Sequence, residues 1–234
     1  METNFYKIVI KFPTRNRPDK FLNCINNIFT HLADKVNTRV VVTADIDDAT
    51  MFNKKMLMQI KPYVDNYNLE IIFGKSESKI HACNRDLELI NDWDIMMLTS
   101  DDMLFESQTF DYKVREGFST FFPNTDGNIY FNDGFAKERI STLPIIGRKY
   151  FERFGYIYHP SYKSLWCDNE YTEVALKLGK LAYYDQMLYR HHHPSNVGGF
   201  VDSQLKFTES FNEIDKSNYD ARKLRDFDMV KITK

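Results

Sequence analysis

Apolar positions along the first hundred residues switch repeatedly between a strand-like run and a helix-like spacing. Lys7 to Phe12 is a β-branched run ended by Pro13, which predicts a strand. Pro18 and Asp19 then open a stretch in which Phe21, Leu22, Ile25, Ile28, Phe29 and Leu32 share one helical face. Thr38 to Thr43 reads as a second strand, Met51 to Val64 as a helix, and Leu69 to Phe73 as a third strand ended by Gly74. Ser78 is placed to cap a helix carrying Ile80, Cys83, Leu87 and Ile90, and Trp93 to Leu98 is a fourth strand. Strand and helix in alternation predict right-handed βαβ units and an α/β fold with a mainly parallel sheet.

The second half is less regular. Gly127 to Phe131 reads as a strand. Asp168 to Lys180 reads as a helix with Tyr171, Val174, Ala175 and Leu178 inward and Gly179 as its stop. Leu181 to Tyr184 and Met187 to Tyr189 are short strand candidates leading into His191-His192-His193-Pro194. Neither an internal repeat nor a low-complexity linker divides the chain, so residues 1–234 are expected to form one domain.

Ligands of parallel sheets bind beyond the carboxyl ends of the strands. Polar clusters stand at those ends: Thr14 to Arg17 after the first strand, Asp45 to Asp48 after the second, Lys75 to Lys79 after the third, and Ser100 to Asp102 after the fourth. The adjacent carboxylates Asp101 and Asp102 make a hard-oxygen site suited to Mg²⁺ or Mn²⁺, or else simply cap a helix. Asp45, nearest its strand end, is suited to accept hydrogen bonds from a ribose or a base. Asp48 is expected to cap the following helix. In a strand-like run His191 and His193 share one face and His192 points away; imidazole there could join a metal site. Asp168 begins a helix, where it either caps the backbone or serves as a general base, with Glu170 as the fallback. Arg15, Arg17, Lys79 and Arg85 could neutralise phosphate. Asn84, on the same helix as Lys79, could bond a nucleotide or orient a loop.

Composition narrows the class. With 31 basic and 33 acidic residues the formal net charge is −2, against a general nucleic-acid binder. Cys24, Cys83 and Cys167 form no CxxC pair, which points away from a disulfide framework and toward a reducing compartment. No signal peptide and no apolar run long enough for a membrane span is read. A cytoplasmic location, at most peripheral to a membrane, is expected.

The order of these motifs resembles a known family. Phe12-Pro13-Thr14-Arg15-Asn16-Arg17, an acidic turn after strand two, Lys79 to Asn84, Ser100-Asp101-Asp102, and a later Asp168-Asn169-Glu170 helix together look like the GT-A glycosyltransferases of the family 2 type. The segment Leu143 to Tyr156, with its Phe154-Gly155 pair, is similar to the family's middle block. The resemblance runs from about Lys7 to Pro194. It implies a GT-A (Rossmann-like) mixed, mainly parallel sheet flanked by helices. Residues 1–105 would form the nucleotide-sugar-binding half, 106–200 the acceptor and catalytic half, and 201–234 a helical appendage. Pro13, Thr14, Arg15, Arg17, Asp45, Lys79, Asn84 and Asp101 would hold the donor nucleotide, a UDP-sugar being favoured. Asp102 with His191 or His193 would bind Mn²⁺ or Mg²⁺. Asp168 would be the base of an inverting transferase acting on a glycan or other hydroxyl acceptor. Ser100 stands where a strict Asp-x-Asp has its first aspartate. The alternatives are an inactive nucleotide-sugar-binding module and a metal-dependent phosphohydrolase.

Overall fold

The computed structural model describes residues 5–193, 198 and 202–231; Pro194, the last residue of the histidine motif, lies outside them. Among the described residues, a seven-stranded sheet runs in the order β3-β2-β1-β4-β7-β6-β8. Its strands are β1 (Ile8–Thr14), β2 (Thr38–Asp45), β3 (Leu69–Gly74), β4 (Ile95–Leu98), β6 (Asn128–Asn132), β7 (Ile145–Gly147) and β8 (Leu181–Met187). β1 pairs in parallel with β2 and β4, β2 with β3, and β6 with β8; β7 is antiparallel to both its neighbours. A short antiparallel ladder joins β5 (Met103–Phe105) to β9 (Tyr189–His191). The helices are α1 (Pro18–His31), α2 (Lys54–Asn66), α3 (Lys79–Asn84), α4 (Phe110–Phe121), α5 (Arg148–Phe151), α6 (Cys167–Lys177), α7 (Ser203–Glu209) and α8 (Asn212–Leu224). None of them is long and apolar enough to cross a membrane.

Strands β1, β2 and β4 are buried almost throughout, as parallel strands covered on both faces must be. That burial traps Lys11. Its ammonium donates to Thr43 Oγ1 and to the Arg85 carbonyl. Pro13 does not end β1 but lies within it, paired with Thr43. The β1–β4 ladder stops at Lys11–Leu98, so the N–H that Pro13 lacks faces no strand.

Four expected elements differ, one of them the Met187 to Tyr189 strand, which is split between the end of β8 and the start of β9. Met51 to Asn53 form a turn, and Asn53, not Asp48, caps α2 by accepting from Met56 N at 2.9 Å. Asp48 instead ties the loops after β1 and β2 together, accepting from Asn16 N at 2.6 Å and Thr50 N at 2.9 Å. The helix capped by Ser78 stops at Asn84, because Asp86 turns left-handed at φ 68°. The α6 cap position is Trp166, also left-handed, so Asp168 lies within the first turn, where its Oδ1 accepts from Asn169 N at 3.0 Å.

The segment after residue 201 packs back onto the domain. Asp215 of α8 is fully buried and accepts from three consecutive backbone N–H groups, those of Lys163 at 2.9 Å, Ser164 at 2.7 Å and Leu165 at 2.8 Å. Asn212 takes the indole N–H of Trp166 at 3.1 Å, and Tyr219 packs against that ring. The unusual backbone at Trp166, which opens α6, is thus held by α8.

Candidate active site

A cleft of about 800 Å³ opens at the carboxyl ends of β1, β2 and β4 and extends along α6 and α7. That volume suits a ligand of nucleotide size. Of the residues put forward in the sequence as ligands or catalytic groups, all but Asn84, Arg85 and Glu170 line this cleft.

The acidic loop is placed by its neighbours. Cys24 of α1 reaches the Met103 carbonyl at 3.0 Å, and Asn27 brackets Phe105 with two backbone hydrogen bonds of 2.7 and 3.1 Å. The β5–β9 ladder sets His191 opposite Met103, beside Asp102. Asp102 Oδ2 lies 3.6 Å from His191 Nε2, and its Oδ1 accepts from the Ser100 hydroxyl. Burial raises the Asp102 pKa, but His191 and Ser100 outweigh it and hold the carboxyl well below the usual range. His193 lies beside His191 with ring centroids 5.6 Å apart, while His192 is exposed and uses its backbone N–H on the Asp102 carbonyl at 2.7 Å. Burial lowers the His193 pKa, with Asp102 opposing.

Asp101 points elsewhere. It pairs with Arg17 at 2.9 Å, and burial pushes its carboxyl up to about 6 against the pull of that guanidinium. Arg17 also donates through Nε and Nη2 to Asp202, each at 2.9 Å. Asp202 caps α7, which forms one wall of the cleft through Gln204, Leu205 and Phe207. Nothing in the sequence pattern announced Asp202 or α7 as part of the site.

At the end of β2, Asp45 is buried between Arg15 at 2.6 Å and Arg85 at 3.2 Å. Arg85 spends all five N–H donors within the protein: on Asp45, Ser76, Asp86 and the carbonyls of Ala44 and Ile72. It lies so close to Gly74 that an added Cβ would meet its guanidinium carbon at 2.9 Å. Arg85 therefore has no N–H left for phosphate. Lys79 lines the cleft without an ion pair among the described residues.

Asp168 is in the cleft wall, where burial raises its pKa against the opposing charge of Lys79. Glu170 is turned away. It sits in a buried ion pair with Arg222 of α8 and accepts from Tyr162 Oη at 2.7 Å. Asn84 orients a loop, accepting from Ile157 N at 2.9 Å and donating to Tyr158 O at 2.7 Å.

The donor set at Asp102 fits a divalent cation in part. A carboxylate and an imidazole nitrogen face one another at 3.6 Å, and that pairing suits manganese. No group of three or more His, Cys, Asp or Glu side chains is placed to hold a metal among the described residues. The other coordination positions would fall to ligand oxygens or water.

No protein-family model and no curated protein matches the sequence. Solved structures do match the fold. The mannosyltransferase PcManGT from Pyrobaculum calidifontis, in complex with GDP-Man and Mn²⁺, aligns at TM-score 0.63 and 14% identity over 80% of this chain. TarS 1-349 from S. aureus, in complex with UDP-GlcNAc, aligns at 0.60 and 12% over 89%. Glucosyl-3-phosphoglycerate synthase from Mycobacterium tuberculosis, in complex with Mn²⁺, UDP and phosphoglyceric acid, aligns at 0.55 and 11% over 80%. The chain spans 57% of the first protein's length and 66% of the second's. The fold is that of the GT-A, nucleotide-diphospho-sugar transferases.

Proposed function

We propose that this chain is a glycosyltransferase that moves a sugar from a nucleotide-diphosphate-sugar to an acceptor hydroxyl with inversion at the anomeric carbon. The observation that carries the reading is one cleft that joins Asp45, the Asp102–His191 pair and Asp168 at the strand ends of a GT-A sheet. Structural neighbours solved in complex with GDP-Man, UDP-GlcNAc or UDP support the donor class, a UDP-sugar being favoured.

In this reading Asp45 accepts from the ribose or base, and Lys79 faces the diphosphate. Asp102 and His191, with His193 beside them, would hold Mn²⁺ or Mg²⁺, which when bound would offset charge building on the leaving group. Asp168 takes the proton of the acceptor hydroxyl. The acceptor oxygen bonds to the anomeric carbon as the bond from that carbon to the phosphate oxygen breaks, and the nucleoside diphosphate leaves with the electron pair. Burial favours this role, since a carboxylate with a raised pKa is a stronger base. The donor half is assigned to residues 1–105 and the acceptor half to 106–200.

The test is donor turnover. A panel of UDP- and GDP-sugars is screened with Mn²⁺ for thermal stabilisation, then for nucleotide release with mixed hydroxyl acceptors. Stabilisation by one donor, with release that EDTA abolishes, is expected. Stabilisation without release in any condition leaves a binding module; no stabilisation at all overturns the donor class.

A further inference from the structure

Asp168, Asn169, Thr172, Glu173 and Leu176 of α6 all line the cleft and share one helical face. The helix therefore runs along the cleft wall, and Asp168 and Leu176 stand about 12 Å apart along its axis. The chemistry of the wall changes over that length. At one end is Asp168 with Asn169 beside it, whose side-chain amide has no partner among the described residues. Thr172 is spent: its Oγ1 donates to the Asp168 carbonyl at 2.7 Å and accepts from Ser141 N at 3.1 Å. Glu173 is engaged by Tyr219 and by Lys223, the latter at 2.7 Å. Leu176, at the far end, is 57% exposed.

The loop after β6 brings further apolar surface to that end. Buried Asp133 fixes the loop, accepting from Phe135 N at 2.9 Å, Ala136 N at 2.7 Å and Thr142 Oγ1 at 3.0 Å. The bond from Ser141 to Thr172 docks it one turn before Leu176. Phe135 and Ile140 of this loop line the cleft, as does Arg139, whose methylenes add to the wall. From α7, Phe207 lines the cleft and is 52% exposed. Large apolar side chains left open in a cleft mark the part of it that takes apolar matter. A glycan would need hydrogen-bonding groups there, and α6 beyond Asn169 has committed its own.

We propose that the acceptor is a small amphiphile. Its hydroxyl meets Asp168 and Asn169, and an alkyl or aryl group on the same molecule rests on Leu176, Ile140 and Phe207. The occupant follows from continuity: this apolar wall belongs to the same cleft, and in part to the same helix, as the carboxylate that takes the acceptor proton. The inference rests on the transferase reading above. It makes Leu176 and Phe207 determinants of acceptor selection with no part in donor binding.

Leu176→Gln and Phe207→Gln change exposed side chains, so both variants should melt with the parent. Each is assayed with Mn²⁺ and the donor that stabilises the parent best. The acceptors are the methyl, hexyl and phenyl β-glycosides of glucose, galactose and GlcNAc, with cellobiose, lactose and chitobiose. For the sugar that is accepted, the hexyl or phenyl glycoside should exceed the methyl glycoside roughly 10-fold in kcat/KM. Each variant should cut that advantage to about 3-fold or less, through KM, and leave the methyl glycoside unchanged. Saturation-transfer NMR with the phenyl glycosides should show the phenyl protons in contact with the parent, and less so with either variant. Equal use of methyl and apolar glycosides, or better use of the disaccharides, overturns the inference and leaves the transferase standing. Donor hydrolysis with transfer to no glycoside and no saturation of the phenyl protons overturns it too. No nucleotide release with any donor removes the transferase reading, and the acceptor role with it.

Discussion

Arg222 grips Glu170 from two positions: Nε donates to Oε2 at 2.6 Å and Nη2 to Oε1 at 2.7 Å. Both side chains are 6% exposed. The third residue of the Asp168-Asn169-Glu170 run therefore fastens α6 to α8 and does not face the cleft. Removing one partner of such a pair leaves a buried charge, so Arg222→Met should cost roughly 3–5 kcal/mol of stability. Glu170→Met combined with Arg222→Met should recover most of that loss. Urea unfolding of the two variants checks it; a single-mutant loss under about 1 kcal/mol would be too small for a buried pair.

Asp168→Asn is a clean probe of the base. Asp168 is not at the N-cap position, and the bond its Oδ1 accepts from Asn169 N can be kept by the amide oxygen of Asn. Sugar transfer should fall roughly 10²–10⁴-fold with the melting temperature and donor affinity nearly unchanged. A variant that transfers sugar at a near-parental rate would remove Asp168 from the chemistry.

The histidines separate by position. His191→Ala should strongly weaken Mn²⁺-dependent nucleoside-diphosphate binding, as should Asp102→Ala, and His193→Ala should weaken it too. His192→Ala should not, since its side chain is exposed and only its backbone touches Asp102. The readout is nucleotide affinity with and without Mn²⁺. A selective effect of His192→Ala would contradict the alternation.

Lys11 gives a pH signature. Burial lowers its pKa from 10.5 to about 8, with the charge of Asp86 opposing. Below about pH 8 both folded and unfolded chains carry this proton, and the folded state bears the full desolvation cost. Between about 8 and 10.5 the unfolded chain holds more protons, so the contribution of this site to stability rises with pH. Tyrosines and cysteines titrate nearby, so the measurement is a difference. Parent minus Lys11→Met stability, from urea midpoints, should move in favour of the parent from pH 8 to pH 10. A flat difference contradicts the lowered pKa.

The first half of the fold was legible because it is local. Each strand from β1 to β4 is a short apolar run, and each polar cluster follows its strand directly. The second half hides its structure in pairing. β5 and β7 are three residues each, too short for a period to show, and exist because β9, β4 and β6 pair with them. Side-chain roles failed where the partner is distant. Glu170 reads as a fallback general base until Arg222, 52 residues on, is placed beside it. Arg85 reads as a phosphate ligand until β2, β3, Ser76 and Asp86 consume its N–H groups. Asp202 gave no signal, because its partner Arg17 lies 185 residues earlier.

The order of synthesis gives the Asp215 contacts a further meaning. Domains emerge from the ribosome N-terminal part first. The strands β1 to β4 and the loops that follow them are complete before residue 110, so the strand-end side of the cleft can assemble early. The loop Lys163–Leu165 precedes its organiser Asp215 by about fifty residues. Until α8 emerges, three backbone N–H groups beside Ser164 lack their acceptor, and the turn into α6 lacks the support of Asn212 and Tyr219. A nascent or prematurely terminated chain ending before Asn212 would carry Asp45, Asp102, Asp168 and His191 together and still leave Asp168 without its frame. Under the proposed transferase reading, such a fragment would hold a nucleotide-sugar without transferring its sugar.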